Sequence, residues 1–251
     1  MLRSASVVPD SGVVSSVADE YAHLLSLAAH EFRAPANVVG GYLRMLQHDT
    51  VHTLSEQQRR MIDEAQKSCA RIVALINELG EVANLDTGTF VLNVERFDLF
   101  QLIREVADDL HEAEDRDVHL RLRGETAGAS VSGVRVRLGG AFSAFFRAML
   151  REQPSATIAA VDRILVRREN GASAVVVLAR EGDLQLAYEA AEAPFDEARG
   201  GLGLALPIAR RVIERHGGRV WTPAIDGSDD QAAQSAVIVS LPAWPSPEHD
   251  R

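Results

Sequence analysis

Residues 55–80 read SEQQRRMIDEAQKSCARIVALINELG, and the apolar rhythm inside this stretch decides the architecture of the first third of the chain. Ile62, Ala65, Cys69, Ile72, Ile76 and Leu79 recur three and four residues apart, the spacing of a helix that packs along one seam. Ser55 with Gln58 three residues later forms a capping signal for its start. Upstream, Leu24, Leu25, Ala28, Phe32, Val38, Val39, Tyr42, Leu43 and Leu46 give a second amphipathic helix, expected over about 14–48 and bent at Pro35. The polar run 49–53 connects the two. A helical hairpin leaves half of each apolar stripe wet, so two copies pairing into a four-helix bundle is the expected arrangement. The other way to cover the stripes is to pack the hairpin on the rest of its own chain.

Beyond Leu85 the texture changes. Asp86-Thr87-Gly88 signals a turn, and Phe97-Asp98-Leu99 leads into a helix carrying Leu102, Ile103, Val106 and Leu110. Strand-like runs follow at 118–122, 131–136, 158–166, 174–178 and 236–241, with helices at about 138–151 and 204–216. This irregular alternation indicates an α/β sandwich with helices on one side of the sheet, so the fold class expected for the whole chain is α+β.

Composition removes several function classes. With 36 acidic against 26 basic residues the formal net charge is −10, and the bases are interspersed with acids, so no nucleic-acid partner is expected. Lys67 is the only lysine. Cys69 is the only cysteine, which excludes an internal disulfide and a thiolate metal cluster. No apolar run is long enough to span a bilayer and no signal-peptide pattern opens the chain, so a cytoplasmic protein is expected.

Chemistry enters with His30-Glu31-Phe32-Arg33-Ala34-Pro35 on the first helix. A neutral imidazole has one nitrogen free to attack phosphorus, and a carboxylate accepting the other ring N–H makes that nitrogen more basic. A lone His-Glu pair on an amphipathic helix is usually a solvated edge. The stretch from Ala29 to Leu43 resembles the H-box of sensor histidine kinases, whose usual form is S-H-E-L-R-T-P-L-x-x-I-x-G-Y. Gly200 to Ala209, followed by Val212-Ile213-Glu214-Arg215-His216-Gly217-Gly218, resembles that family's second glycine box and the helix after it. The resemblance runs over roughly residues 15–243. It implies His30 as phospho-acceptor, assisted by Glu31 and Arg33, a homodimer, and a response-regulator receiver domain as partner.

The resemblance also implies a magnesium-ATP site, and here the chain departs from the pattern. The family's magnesium-binding helix corresponds to Leu138–Leu150, yet its two asparagine positions carry Ala144 and Ala148, which offer no oxygen to a hard cation. Its first glycine box, D-x-G-x-G, corresponds to Arg180-Glu181-Gly182-Asp183-Leu184, with Arg180 where an aspartate would accept the adenine amino group. Gly182, Gly201 and Gly203 remain as nucleotide-contacting candidates; each is equally a glycine-permissive turn. The segment from Leu184 to Arg199, where a nucleotide lid would lie, carries Glu189, Glu192, Asp196 and Glu197, and this charge is expected to repel a triphosphate. Ala34 stands where a threonine would position the hydrolytic water of a phosphatase.

The expected organisation is a flexible tail at 1–14, a dimerisation and phospho-acceptor domain at 15–88, a degenerate ATP-binding-like domain at 96–243, and a second tail at 244–251. Three functional readings stay open. His30 exchanges phosphate with a receiver aspartate and no cofactor is used; or the chain is an autokinase using ATP and magnesium in an atypical pocket; or it sequesters a receiver without chemistry.

Overall fold

The computed structural model describes residues 11–48, 54–87, 93–111, 114–168, 171–201, 203–224 and 236–245. Most of the expected tails, the 49–53 connector and Gly88 lie outside these residues. The chain forms two compact units, residues 1–90 and 91–251.

The first unit is a hairpin of α1 (Ser11–Gln47) and α2 (Glu56–Thr87). The capping box is present: the Ser55 amide donates to Gln58 Oε1 at 2.9 Å and the Gln58 amide to Ser55 Oγ at 3.2 Å. Pro35 lies inside α1, which continues through it. Asp86 and Thr87 are not a turn but the last helical residues of α2, where the Thr87 hydroxyl donates to the carbonyls of Ala83 and Asn84.

The apolar positions of α2 prove to be two faces rather than one seam. Cys69 and Ile76, each 7% exposed, point at α1, and the Cys69 thiol donates to the Ala36 carbonyl at 3.3 Å. Their counterparts on α1 are the buried Ala22, Ala29 and Gly40. Ile72 is 52% exposed and shares the outer surface with Met61 and Leu75. On α1 the outer face carries Tyr21, Leu24, Leu27, Phe32, Val38, Val39, Tyr42 and Met45. A period of 3.6 residues lets a stripe wider than one seam serve both faces.

The second unit is built on an eight-stranded sheet. Its elements are β1 (Glu95–Asp98), α3 (Leu99–Asp108), β2 (His119–Gly124), β3 (Ala129–Gly133), α4 (Arg135–Glu152), β4 (Ile158–Arg168), β5 (Gly171–Arg180), α5 (Leu184–Glu189), β6 (Ala191–Ala193), α6 (Ala205–Arg215), β7 (Arg219–Ala224) and β8 (Val237–Pro245). The main path runs β1-β3-β8-β5-β4-β2; β7 pairs with β8, and β6 pairs only with β7. Among the described residues only the β2–β4 ladder is parallel.

Asp98 turns the chain from strand to helix: its carboxylate accepts the amides of Phe100 and Gln101 at 2.9 and 3.2 Å, and also that of Gly128. One sheet face, with Val161, Arg163, Val176 and Leu178, is covered by α3, α4 and α6. Arg163 shows the contact directly, donating from Nε to the Arg123 carbonyl at 3.0 Å and from Nη1 to the Phe100 carbonyl at 3.4 Å. Burial and the nearby Arg104 push its guanidinium below the ordinary arginine range.

Three expectations are corrected here. The strand expected at 131–136 ends at Gly133 and the helix starts at Arg135 rather than 138. The cause is His216, whose Nε2 accepts the Val134 amide at 3.0 Å while Nδ1–H donates to the Val212 carbonyl at 2.6 Å. Trp244 and Pro245 do not begin a tail; they extend β8 to pair with Ser130 and Ala129 of β3, and Arg96 lies 5.9 Å over the Trp244 ring. The sheet also carries a helix on its other face: Leu184 and Ala187 of α5 pack with Val175, Val177, Ala179 and Ile238.

Candidate functional site

His30 lies on α1 one residue after the buried Ala29, exposed itself and flanked by the exposed Leu27 and Phe32. Among the described residues its ring has no hydrogen-bond partner, so the imidazole is open to an incoming group. Glu31 is also exposed and does not hold the ring. Consecutive helical residues leave the axis roughly 100° apart, so neighbours in sequence do not face each other.

Arg33 is placed differently from both. It is half-buried between the helices, where Nε donates to Asn77 Oδ1 at 3.2 Å. It ties α1 to α2 one turn past His30. Asn77 was missed at the sequence level because a single asparagine on a helix carries no pattern.

In the second unit the residues assigned to nucleotide lie on α4, after β5, and ahead of α6. Ala144 and Ala148 share one face of α4 and are 9% and 1% exposed, closed in by protein. Arg180 folds back on its own turn, donating from Nε to Asp183 Oδ2 at 2.8 Å. Gly182 sits in the short 3-10 turn Glu181–Asp183 with open space around it. Gly201 and Gly203 adopt φ of +60° and +67°, the left-handed region that glycine enters without strain, just before α6. The donor set does not suit magnesium-ATP: an alanine methyl supplies no oxygen, and Arg180 supplies no acceptor.

Two of the four acids in the segment meet arginines. Glu197 pairs with Arg210 at 2.7 Å and Arg211 at 3.6 Å, Glu192 pairs with Arg219, and Asp196 Oδ1 accepts the Ala198 amide at 2.9 Å. The arginines come from α6 and β7, remote in sequence from the acids they neutralise.

Residues 22–88 match the HisKA family, the His Kinase A (phospho-acceptor) domain. Among curated relatives, the sensor protein kinase PmrB of Pseudomonas aeruginosa is 27% identical over 209 residues, covering 78% of this chain and 41% of PmrB. The swarming motility regulation sensor protein RssA of Serratia marcescens is 26% identical over 224 residues, covering 86% of this chain and 45% of RssA. The chain thus spans less than half the length of these relatives. Among solved structures, full-length ShkA in complex with AMPPNP superposes with a TM-score of 0.65 at 19% identity, over 89% of this chain and 46% of that one. The histidine kinase ThkA in complex with the response regulator protein TrrA gives 0.52 at 19% identity, over 90% and 62%. The chain is therefore histidine-kinase-like along its length: a HisKA phospho-acceptor hairpin followed by an α/β domain with the fold of the kinase catalytic domain.

Proposed function

We propose that this histidine-kinase-like chain is a dimeric two-component phosphotransfer protein whose His30 takes a phosphoryl group from, and returns it to, the aspartate of a response-regulator receiver domain. The observation that carries this reading is the exposed, unbonded imidazole of His30 inside the HisKA match. In the forward step the His30 nitrogen attacks the acyl-phosphate phosphorus and the aspartate carboxylate leaves, forming a phosphoramidate; return transfer reverses both bonds. Glu31 stabilises the imidazolium character that develops on the ring through its charge. Dimerisation covers the outer apolar face of α1 and α2, as the complex with a regulator seen for ThkA suits a receiver partner here.

The second unit does not supply the phosphoryl group in this reading, because Ala144, Ala148 and Arg180 replace groups needed for magnesium and adenine. The competing reading, an ATP-dependent autokinase, draws on the AMPPNP-bound neighbour. The deciding experiment incubates the full chain separately with a phosphorylated receiver and with magnesium-ATP. Acid-labile, base-stable label is expected from the receiver alone. It should be absent in His30→Gln and slower to appear in Glu31→Gln. Label from ATP at a comparable rate establishes the autokinase instead, and label from neither leaves a non-catalytic receiver-binding module.

A further inference from the structure

His216 ends α6 and reaches across to the start of α4, and its two partners fix where its proton lies. Nδ1 is 2.6 Å from the Val212 carbonyl, which can only accept, so this nitrogen carries the hydrogen. Nε2 is 3.0 Å from the Val134 amide, which can only donate, so this nitrogen is the bare acceptor. Val134 is the N-cap of α4 and makes no side-chain cap, while the amides of Arg137 and Leu138 both bond to its carbonyl at 3.0 Å. The first turn of α4 thus hangs on one residue that His216 holds from 82 positions away. Gly133 makes room for the ring: a Cβ there would stand 2.5 Å from His216 Cδ2 and 3.0 Å from Nε2.

A second proton on the ring turns Nε2 into a donor facing a donor. The contact with Val134 is then lost, whereas Nδ1–H keeps the Val212 carbonyl. We infer that His216 is a proton-operated latch: neutral, it holds the β3–α4 junction closed; charged, it releases that junction while staying on α6. The ring is half-buried, so protons reach it from solvent. Among the surrounding charges, Arg135 of α4 bonds Glu105 of α3, Glu214 of α6 pairs with Arg210 at 3.4 Å, and Arg219 of β7 pairs with Glu192. Arg137 and Arg215 have partners of their own, and Glu95, opposite Gly133 in the β1–β3 ladder, is exposed. The two helix ends act on a charged ring in opposite senses, α6 through its C-terminus and α4 through its N-terminus. The mismatch at Nε2 therefore sets the sign. The folded unit needs the neutral ring and the unfolded chain takes the proton freely, so the latch opens as pH falls from about 8 to about 5. The inference is independent of any role for His30.

Both tryptophans, Trp221 and Trp244, belong to the second unit, so their fluorescence follows its unfolding within the full chain. Over the same pH interval, the wild-type equilibrium should move toward the unfolded form about tenfold further than that of His216→Gln. The glutamine oxygen can accept the Val134 amide but does not titrate. Comparing the two proteins cancels the other histidines, including His119 beside Asp117. Nitrogen-15 spectra of the wild type need no variant and decide the matter should His216→Gln fail to fold. At neutral pH His216 should carry its proton on Nδ1, and the Val134 amide resonance should move in step with the ring's titration. An equal acid response in the two proteins, a proton on Nε2 at neutral pH, or a Val134 amide that stays in place while the ring becomes charged each overturn the inference.

Discussion

Replacing Ile72 by glutamate should separate the proposed dimer while leaving each hairpin folded. Ile72 is 52% exposed in the single chain, so about half of its side chain remains to be covered by a second copy. Full burial of an isoleucine is worth about 1.5–3 kcal/mol, which makes the uncovered half worth about 1 kcal/mol per copy. An unpaired carboxylate at the same place adds about 3 kcal/mol more. A twofold dimer meets the change twice, giving about 8 kcal/mol in total. At 1.4 kcal/mol per tenfold, the dissociation constant should rise by nearly six orders of magnitude, about 10⁵–10⁶-fold. Ile76 provides the contrast, because it faces α1 and is 7% exposed. Ile76→Ala should cost the hairpin itself about 2–5 kcal/mol. Sedimentation velocity across a concentration series, beside far-ultraviolet circular dichroism, separates the outcomes. Ile72→Glu should sediment as a helical monomer. A dimer that survives Ile72→Glu, or a wild type that is monomeric at micromolar concentration, would refute the assignment of this face.

Two further outcomes concern the second unit. Ala148→Asn should lower its stability by about 2–4 kcal/mol, because the larger amide enters a site that is 1% exposed, and should not create magnesium-dependent nucleotide binding; gained binding at unchanged stability would show that the metal site had lacked only that ligand. His216→Leu should cost about 1–3 kcal/mol in tryptophan-monitored unfolding, since the Val134 amide and the Val212 carbonyl both lose a partner. An unchanged midpoint there would mean that His216 does not set the start of α4.

The helical hairpin was legible because its signals are local. The Ser55–Gln58 box caps α2 by bonds between residues three apart, and a 3.6-residue period exposes itself over thirty positions. The central strands β4 and β5 were legible for the same reason, β5 as a continuous apolar run and β4 as two short apolar runs broken by Asp162 and Arg163. Strands β6 and β7 were not. β6 is three residues long, and β7 carries Pro223, which reads against a strand unless the position lies near a sheet edge.

The sequence alone determined that His30 sits on an amphipathic helix whose apolar stripe a single hairpin leaves half wet, and that positions 144, 148 and 180 carry alanine, alanine and arginine. Those are statements about residue type and short-range period, which no tertiary contact alters. Tertiary structure decided which stripe residues face inward, that Arg33 bonds Asn77, and that Glu197 and Glu192 meet arginines from α6 and β7. It also set the Phe195 ring against Phe145 and the Arg199 guanidinium against Glu152. Those pairings join residues far apart in the chain, and their partners are fixed only when the sheet sets where each strand and helix ends.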